Sequence, residues 1–460
     1  MSRLFVREKE FYQSFFNLTF VIALQNIISY GVNLSDNLML GGYSESALSG
    51  VALANQIQFL LQMLVTGASE GLVILSSRYW GAGDNASIKK VASIGMRISL
   101  VLSLVLWLLI FLFPHGCLSL FTNDEGAIDE GVKYLNIIGF SYIFFAITRV
   151  FIASLRSVET VKIGFTISLS TLIINVCLNY LFIYGHFGFP SWGVRGSAVA
   201  TLTARIMECL IVLIYLKRFD RKIGFSFSDF LHFDRSLFRQ YIKVGSPILI
   251  SNALWGLAMA VQTSILGHMG AAAIAANSIA TTIYQIVSVF TYASASATSV
   301  LIGKTIGSGH SDQIKPYAKT LQVLYCLIGV CTGAVLFLAK DVILEFYSIS
   351  PEAKTLALQF MTVLSITAIG TAYQVPTLTG IVRAGGDTRF VLYNELVFMW
   401  LIVLPSTAVS AVVLHLSPLI TFICLKSDQI LKCFVAAIKV NRFRWIRSFE
   451  PVVDEKAVNS

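Results

Sequence analysis

The chain has 460 residues, 56% of them hydrophobic and 13% charged, with a mean hydropathy of +0.74. Soluble domains carry about 25% charged residues, so the composition excludes a soluble enzyme or binding module and points to a helical protein of the bilayer. The net charge of +9 would suit a nucleic-acid partner only if it formed a stripe or a patch. It is instead split among short loops, so no nucleic-acid partner is expected.

Twelve apolar segments follow in chain order, each near the 20 residues that a helix needs to cross a membrane. They cover 12–39, 48–76, 91–113, 132–155, 163–184, 195–216, 241–266, 275–302, 318–338, 356–381, 391–414 and 416–438. Only "HLSP" separates the last two. The first run is too long for a signal peptide and lacks a small-residue cleavage site, so it is expected to remain as an uncleaved anchor. Lys and Arg collect before segment 1, in "RYWGAGDNASIKK", in 217–243, in 304–319 and in the tail, whereas the alternate loops hold only Lys133, Arg195, Lys340 and Lys354. That asymmetry predicts both termini in the cytoplasm.

Segment 1 closes on "VNLSDNLMLGG", and Asp36 lies in it with no Lys or Arg between Lys9 and Arg78. A charge at that depth costs roughly 2.5–3.5 kcal/mol on insertion scales, so an acid kept there suggests function. The other intramembrane charges have a partner or an aqueous exit close by in sequence. Glu70, Arg149, Arg205, Glu208 and Glu395 are therefore read as structural, Arg205 and Glu208 as an i, i+3 pair. Seven cysteines lie mostly within segments, without CxxC or His at ligand spacing, and read as buried free thiols. The six His are scattered singly at loops and segment ends, and no HExxH, paired intramembrane acid or Ser/His cluster appears, which disfavours an enzyme. The "WGAGD" and "TIGSGH" loops lack the Gly-Lys-Ser/Thr ending of a phosphate loop and read as tight turns.

The chain repeats itself. "DNLMLGGYSESAL" (36–48) lies over "QTSILGHMGAAAI" (262–274), 226 residues further on, and at the same offset "SRYWGAGD" (77–84) lies over "GKTIGSGH" (303–310). Gly81 matches Gly307, Gly83 matches Gly309, and "LRSVET" (155–160) resembles "VRAGGDT" (382–388). Six segments separate the copies, so both enter the bilayer in the same direction, as in transporters whose binding site lies between two parallel repeats. The expected organisation is an N-lobe at 1–216, a linker loop at 217–240, a C-lobe at 241–440 and a tail at 441–460.

These motifs, together with "INVCLNYLFIYGHFGFPSWGVRGSAVAT" and the closing "SDQILKCFVAAIKVNRFRW", resemble the multidrug and toxic compound extrusion (MATE) family of secondary transporters over essentially the whole chain. The resemblance implies an all-α fold of twelve transmembrane helices in two pseudo-twofold-related six-helix lobes, a V-shaped bundle. It implies antiport of organic cations or drugs against H⁺ or Na⁺ by alternating access, with no cofactor, in a bacterial inner membrane, as a functional monomer. It carries the cation-coupling role onto Asp36, with Asn175, Asn179 and Thr201 as its pocket. Asn179 stands where several relatives have a second acid, so Asp36 is the one formal charge for a proton or a weakly held Na⁺, with no tightly bound metal. Gln262 takes the position of Asp36 in the second copy, and "GTAYQVPTLTG" holds no acid, so coupling is expected in the N-lobe. Gln25, Asn33, Gln56, Trp255, Gln262, Tyr284, Tyr373 and Gln374 are the candidates for a substrate cavity, where aromatic faces and amides suit flat cations. The alternative is a lipid-linked precursor flippase of the same superfamily. It would call for cationic side chains for a pyrophosphate, and the interiors of segments 1, 2, 7 and 8 have none.

Overall fold

The structure is a computed structural model that describes residues 5–122, 124–230, 233–345 and 349–447, and every regular element among them is a helix. In chain order these are α1 (Lys9–Tyr43), α2 (Glu45–Gly81), α3 (Asn85–Leu112), the short α4 (Pro114–Ser119), α5 (Glu125–Ile138), α6 (Ser141–Ser157), α7 (Lys162–Tyr184) and α8 (Val194–Arg218). The second half holds α9 (Arg235–Gly267), α10 (Ala271–Val287), α11 (Val289–Gly307) and α12 (Ser311–Glu345). α13 (Pro351–Val382) and α14 (Thr388–Val413) follow, then α15 (Pro418–Lys426) and α16 (Asp428–Asn441). With no water in the hydrocarbon core, each backbone amide must find its partner within its own segment, which is what an unbroken helix supplies.

Nine described helices are long and apolar enough to cross a membrane, and the bent pairs α5–α6 and α10–α11 raise the number to eleven. The twelfth expected segment corresponds to α15 and α16, which are broken at Ser427. Two expected straight segments, 132–155 and 275–302, are in fact bent, by 56° and 45°. At the first bend the Gly139 N–H bonds back to the Leu135 carbonyl, closing α5 before α6 begins at Ser141. At the second, the Ser288 N–H closes α10 on the Tyr284 carbonyl at 2.8 Å, while the Ser288 carbonyl accepts from Thr291 N–H at 2.9 Å to start α11. α13 and α14 contain π-helical stretches, at Pro376–Val382, Leu396–Val403 and Val409–Val413. The first begins at a proline, whose missing N–H relaxes the i→i−4 ladder.

The described residues divide into two compact units, one Leu24–Ala253 and the other made of 5–23 together with 254–447. The division falls inside α1 and α9. In the Leu24–Ala253 unit the core joins Leu40, Val51, Leu61 and Val65 to Ile128, Tyr134, Tyr142 and Ala198. In the Leu254 unit Ala276, Tyr284, Phe360, Leu364, Met399 and Phe422 pack together, with the Phe360 and Phe422 rings stacked at 4.0 Å. Large apolar side chains such as Val101, Val105, Leu108 and Phe111 of α3 are exposed, as expected of a surface wetted by lipid.

Small residues set the closest helix approaches, the usual means of packing helices in a bilayer. A Cβ on Gly50 of α2 would fall 2.6 Å from the Gly131 nitrogen of α5, and one on Gly67 would fall 2.8 Å from the Leu249 Cα of α9. The duplication is visible in the backbone. Gly83 and Gly309, paired by the 226-residue offset, both adopt φ +76° in the turns that close their helices. Glu159 and Gly386, in the third pair of matched stretches, both have positive φ, 59° and 92°.

Candidate functional site: a buried acid in an amide network

Asp36 is 8% exposed on α1 and faces α7. Asn175 and Asn179 sit one turn apart on α7, so both side chains lie on the same face, and both are fully buried. Asn179 Nδ2 donates to Asp36 Oδ1 and also to Asn175 Oδ1, the latter at 3.1 Å. Asn175 Nδ2 in turn donates to Thr201 Oγ1 of α8 at 3.1 Å. The four residues read from the sequence as a coupling pocket are thus one continuous hydrogen-bonded chain across three helices.

Among the described residues, no Lys, Arg or His makes an ion pair with Asp36, and Asn179 Oδ1 is buried without a partner. Two further residues complete the surroundings, Tyr134, which the sequence reading left out, and Arg205, which it placed only in a structural pair with Glu208. Tyr134 of α5 is buried close to both Asp36 and Thr201. Arg205 of α8 lies within electrostatic reach of Asp36, and its Nη1 is held by Glu208 Oε2 at 2.8 Å. The spacing of Thr201 and Arg205, i and i+4 on one helix face, was the signal for the second; nothing in the sequence marked Tyr134. The upper end of α1 is fixed by Tyr184, whose hydroxyl donates to the Met39 carbonyl at 2.8 Å. The arrangement is that of a carboxylate solvated by neutral amide and hydroxyl groups, able to hold a proton or, through those same oxygens, a monovalent cation.

The remaining intramembrane charges have neighbours of their own. Arg149 and Arg205 both lie 5.1 Å from the centre of the Phe145 ring, and Arg149 is close to Glu208 and Tyr30. Glu70 lies beside Arg156, and Glu395 Oε2 accepts from Lys432 Nζ at 2.8 Å. The cavity candidates belong to both units, Gln25, Asn33 and Gln56 to one and Trp255, Gln262, Tyr284, Tyr373 and Gln374 to the other. Gln25, Gln262, Tyr284 and Gln374 are buried in helix packing, Gln25 against Gly164 and Gln262 with its amide 3.3 Å from Met399 Sδ. Tyr373 donates to Gln322 Oε1 at 2.8 Å, Trp255 is half-buried, and Asn33 and Gln56 are exposed.

A duplicated bundle of membrane-length helices around a buried, amide-bound acid belongs to the class of membrane transporters. The sequence places it further. The MatE family pattern matches residues 22–181 and again 247–409, once on each copy, and the chain belongs to that family of multidrug efflux transporters. It is 25% identical over 396 residues to the uncharacterized transporter YisQ of Bacillus subtilis, spanning 85% of this chain and 86% of that one. It is 25% identical over 440 residues to the probable multidrug resistance protein NorM of Listeria monocytogenes, spanning 95% and 96%. Among solved structures, the eukaryotic MATE transporter AtDTX14 matches with a TM-score of 0.84 at 17% identity over 95% of this chain and 96% of that one. The Vibrio cholerae MATE transporter VcmN matches with 0.85 at 17% identity over 94% and 97%. At such identities the structural likeness shows the fold.

Proposed function

We propose that the protein exports organic cationic or amphipathic compounds in exchange for H⁺ or Na⁺ by alternating access, and that Asp36 is the coupling residue, with Asn175, Asn179 and Thr201 as its pocket. The observation that carries this reading is the buried Asp36 carboxylate, bound by neutral donors and, among the described residues, in no ion pair. A carboxylate that is merely structural is expected to lie opposite a fixed positive charge, because an uncompensated buried charge is costly. An acid whose hydrogen bonds come from neutral groups, with the nearest guanidinium, Arg205, already held by Glu208, can instead exchange its compensating ion, and that exchange is what coupling requires. The names of the NorM relatives support drug-like substrates. The bacterial relatives and the basic cytoplasmic loops support the inner membrane.

The test is transport into or out of vesicles holding the purified protein, with a fluorescent organic cation and an imposed pH or Na⁺ gradient. Wild type is expected to respond to one gradient, and Asp36→Asn to fall to background. Full gradient-driven export by Asp36→Asn contradicts the assignment. If neither gradient moves any cation in the wild type, the flippase reading replaces this one.

A further inference from the structure

α8 ends in a group of basic side chains that the coupling scheme leaves unused. Lys217, Arg218, Arg221 and Lys222 follow one another closely, with Asp220 as the one acid between them. The first three are exposed and, among the described residues, make no side-chain hydrogen bond or ion pair. Asp220 is engaged by the turn that follows the helix. Its Oδ1 accepts from the Lys222 and Ile223 backbone N–H groups at 3.1 and 3.4 Å, and its Oδ2 from the Gly224 N–H at 3.0 Å. The acids further along the same loop are paired elsewhere, Asp229 with Lys89 at 3.5 Å and Asp234 with Lys90 at 3.3 Å. Counting Asp220 against its neighbours, the stretch keeps an excess of positive charge.

The backbone that presents these side chains is fastened on both sides. α8 closes with the Phe219 and Asp220 N–H groups both bonded to the Tyr215 carbonyl, at 2.9 and 3.0 Å. Beyond the turn, Lys222 Nζ donates to the Val158 carbonyl at 2.7 Å and lies 5.6 Å from the centre of the Trp80 ring, while the Lys222 carbonyl accepts from Asn85 Nδ2 at 2.9 Å. Between these fixed points Ile214, Lys217, Arg218 and Phe219 line an open cavity of about 480 Å³. The Phe219 ring stacks on Tyr215 with centroids 6.1 Å apart, which holds it as one wall. Toward the middle of α8, Met207, Leu210 and Ile214 are exposed at i, i+3 and i+7, on one helix face.

An apolar strip that faces lipid therefore runs up to two unpaired cations at the helix end. That pattern complements a phospholipid whose headgroup carries a net negative charge. A soluble phosphate has no use for the strip, and a protein partner would have to cover side chains that face hydrocarbon. We infer that the end of α8 is a binding site for an anionic phospholipid, its phosphate held by Lys217 and Arg218 and its acyl chain laid on Phe219 and Ile214. The Arg218 guanidinium can grip two phosphate oxygens at once, and Lys217 adds a point charge. A zwitterionic lipid brings an ammonium of its own, which both side chains repel. Cations in a last helical turn also offset the helix dipole, but that role calls for no particular lipid.

The experiment is native mass spectrometry of the full-length protein in detergent, titrated with phosphatidylglycerol or with phosphatidylcholine of the same acyl chains. It needs neither substrate nor gradient, so its outcome is independent of the Asp36 assignment. Wild type is expected to retain one phosphatidylglycerol at concentrations at which phosphatidylcholine dissociates. The double variant Lys217→Gln/Arg218→Gln should bind phosphatidylglycerol about 25-fold more weakly, roughly fivefold for each cation, and phosphatidylcholine as before. Lys319→Gln, which removes a cation of the other unit, should change neither. The inference is overturned if the double variant retains phosphatidylglycerol as wild type does, with or without a lower melting temperature, or if Lys319→Gln weakens retention as much. Displacement of the lipid by an equal concentration of glycerol phosphate would assign the site to a soluble anion and overturn it too.

Discussion

At the scale of single residues, the balance between solvation and pairing decides which charges are fixed and which can exchange. Asp36 has only dipoles for neighbours within hydrogen-bond reach, whereas Arg205 has Glu208 and Lys432 has two carboxylates. Outside the membrane, Asp234 shows the fixed kind. It precedes α9, accepts from the Ser236 and Leu237 backbone N–H groups at 3.0 and 3.1 Å, and pairs with Lys90 of α3 at 3.3 Å. Burial acts to raise its pKa, but the Leu237 and Lys90 hydrogen bonds outweigh it and hold the carboxyl below its ordinary range. A folded-state pKa below the unfolded one means that the stabilisation is present above the ordinary carboxylate range near 4 and is lost as pH falls through the folded value. Asp234→Ala should therefore cost about 1 kcal/mol at neutral pH through the lost cap. It should also flatten the acid limb of the stability profile, which thermal denaturation at several pH values checks.

Asp36 was legible in the sequence as a lone acid in an apolar run, whereas Asn175, Asn179 and Thr201 were assigned to it by the family resemblance, the one-turn spacing of the two Asn adding only that they share a helix face. The pairing of Glu395 with Lys432 was less legible. Asp428 and Lys432 lie in the closing segment, whose charges read as the start of a basic tail, and only the fold shows that Lys432 is nearly inaccessible. Tyr134 carries no signal at all, since a tyrosine in an apolar segment is ordinary packing until the fold brings it beside Asp36 and Thr201.

At the scale of elements, apolar length predicted the helices, and small residues decided how they meet. α2 approaches α5 at Gly50 and α9 at Gly67 and Gly71, where a Cβ on Gly71 would fall 2.9 Å from the Gly245 Cα. Gly50→Val forces backbone against backbone and should destabilise the Leu24–Ala253 unit by about 1–3 kcal/mol, seen as a lower melting temperature of the purified protein. The bends at Gly139 and Ser288 escaped the sequence reading because hydropathy is blind to direction. Both halves of each bent pair are apolar, and neither break carries a proline. The last described residues are held by a different device. Trp445 is fully buried, its Nε1 donates to the Val440 carbonyl at 2.8 Å, and Gly385 leaves room for its ring. Arg447 and Lys439 reach Asp387 at 3.1 and 2.6 Å. Trp445→Ala removes that anchor at a cost of about 3–5 kcal/mol. Limited proteolysis should then cut the tail faster in the variant than in the wild type.

At the scale of the whole molecule, duplication explains why one sequence pattern matches twice and why Gly83 and Gly309 share a backbone conformation. The copies have diverged where the chemistry is. The first keeps Asp36 and an amide pocket, and the second has Gln262 at the matching position with its own charges on α14 and α16. Such asymmetry is what the proposed exchange requires, one copy carrying Asp36 while the other contributes a different set of polar groups. The most direct test compares wild type and Asp36→Asn side by side in vesicles, following efflux of a fluorescent organic cation while a pH or Na⁺ gradient is imposed. Gradient-driven efflux in the wild type that falls to background in the variant is the predicted result, and the gradient that works names the coupling ion. Equal gradient-driven efflux from both proteins would contradict the account and move the coupling away from Asp36.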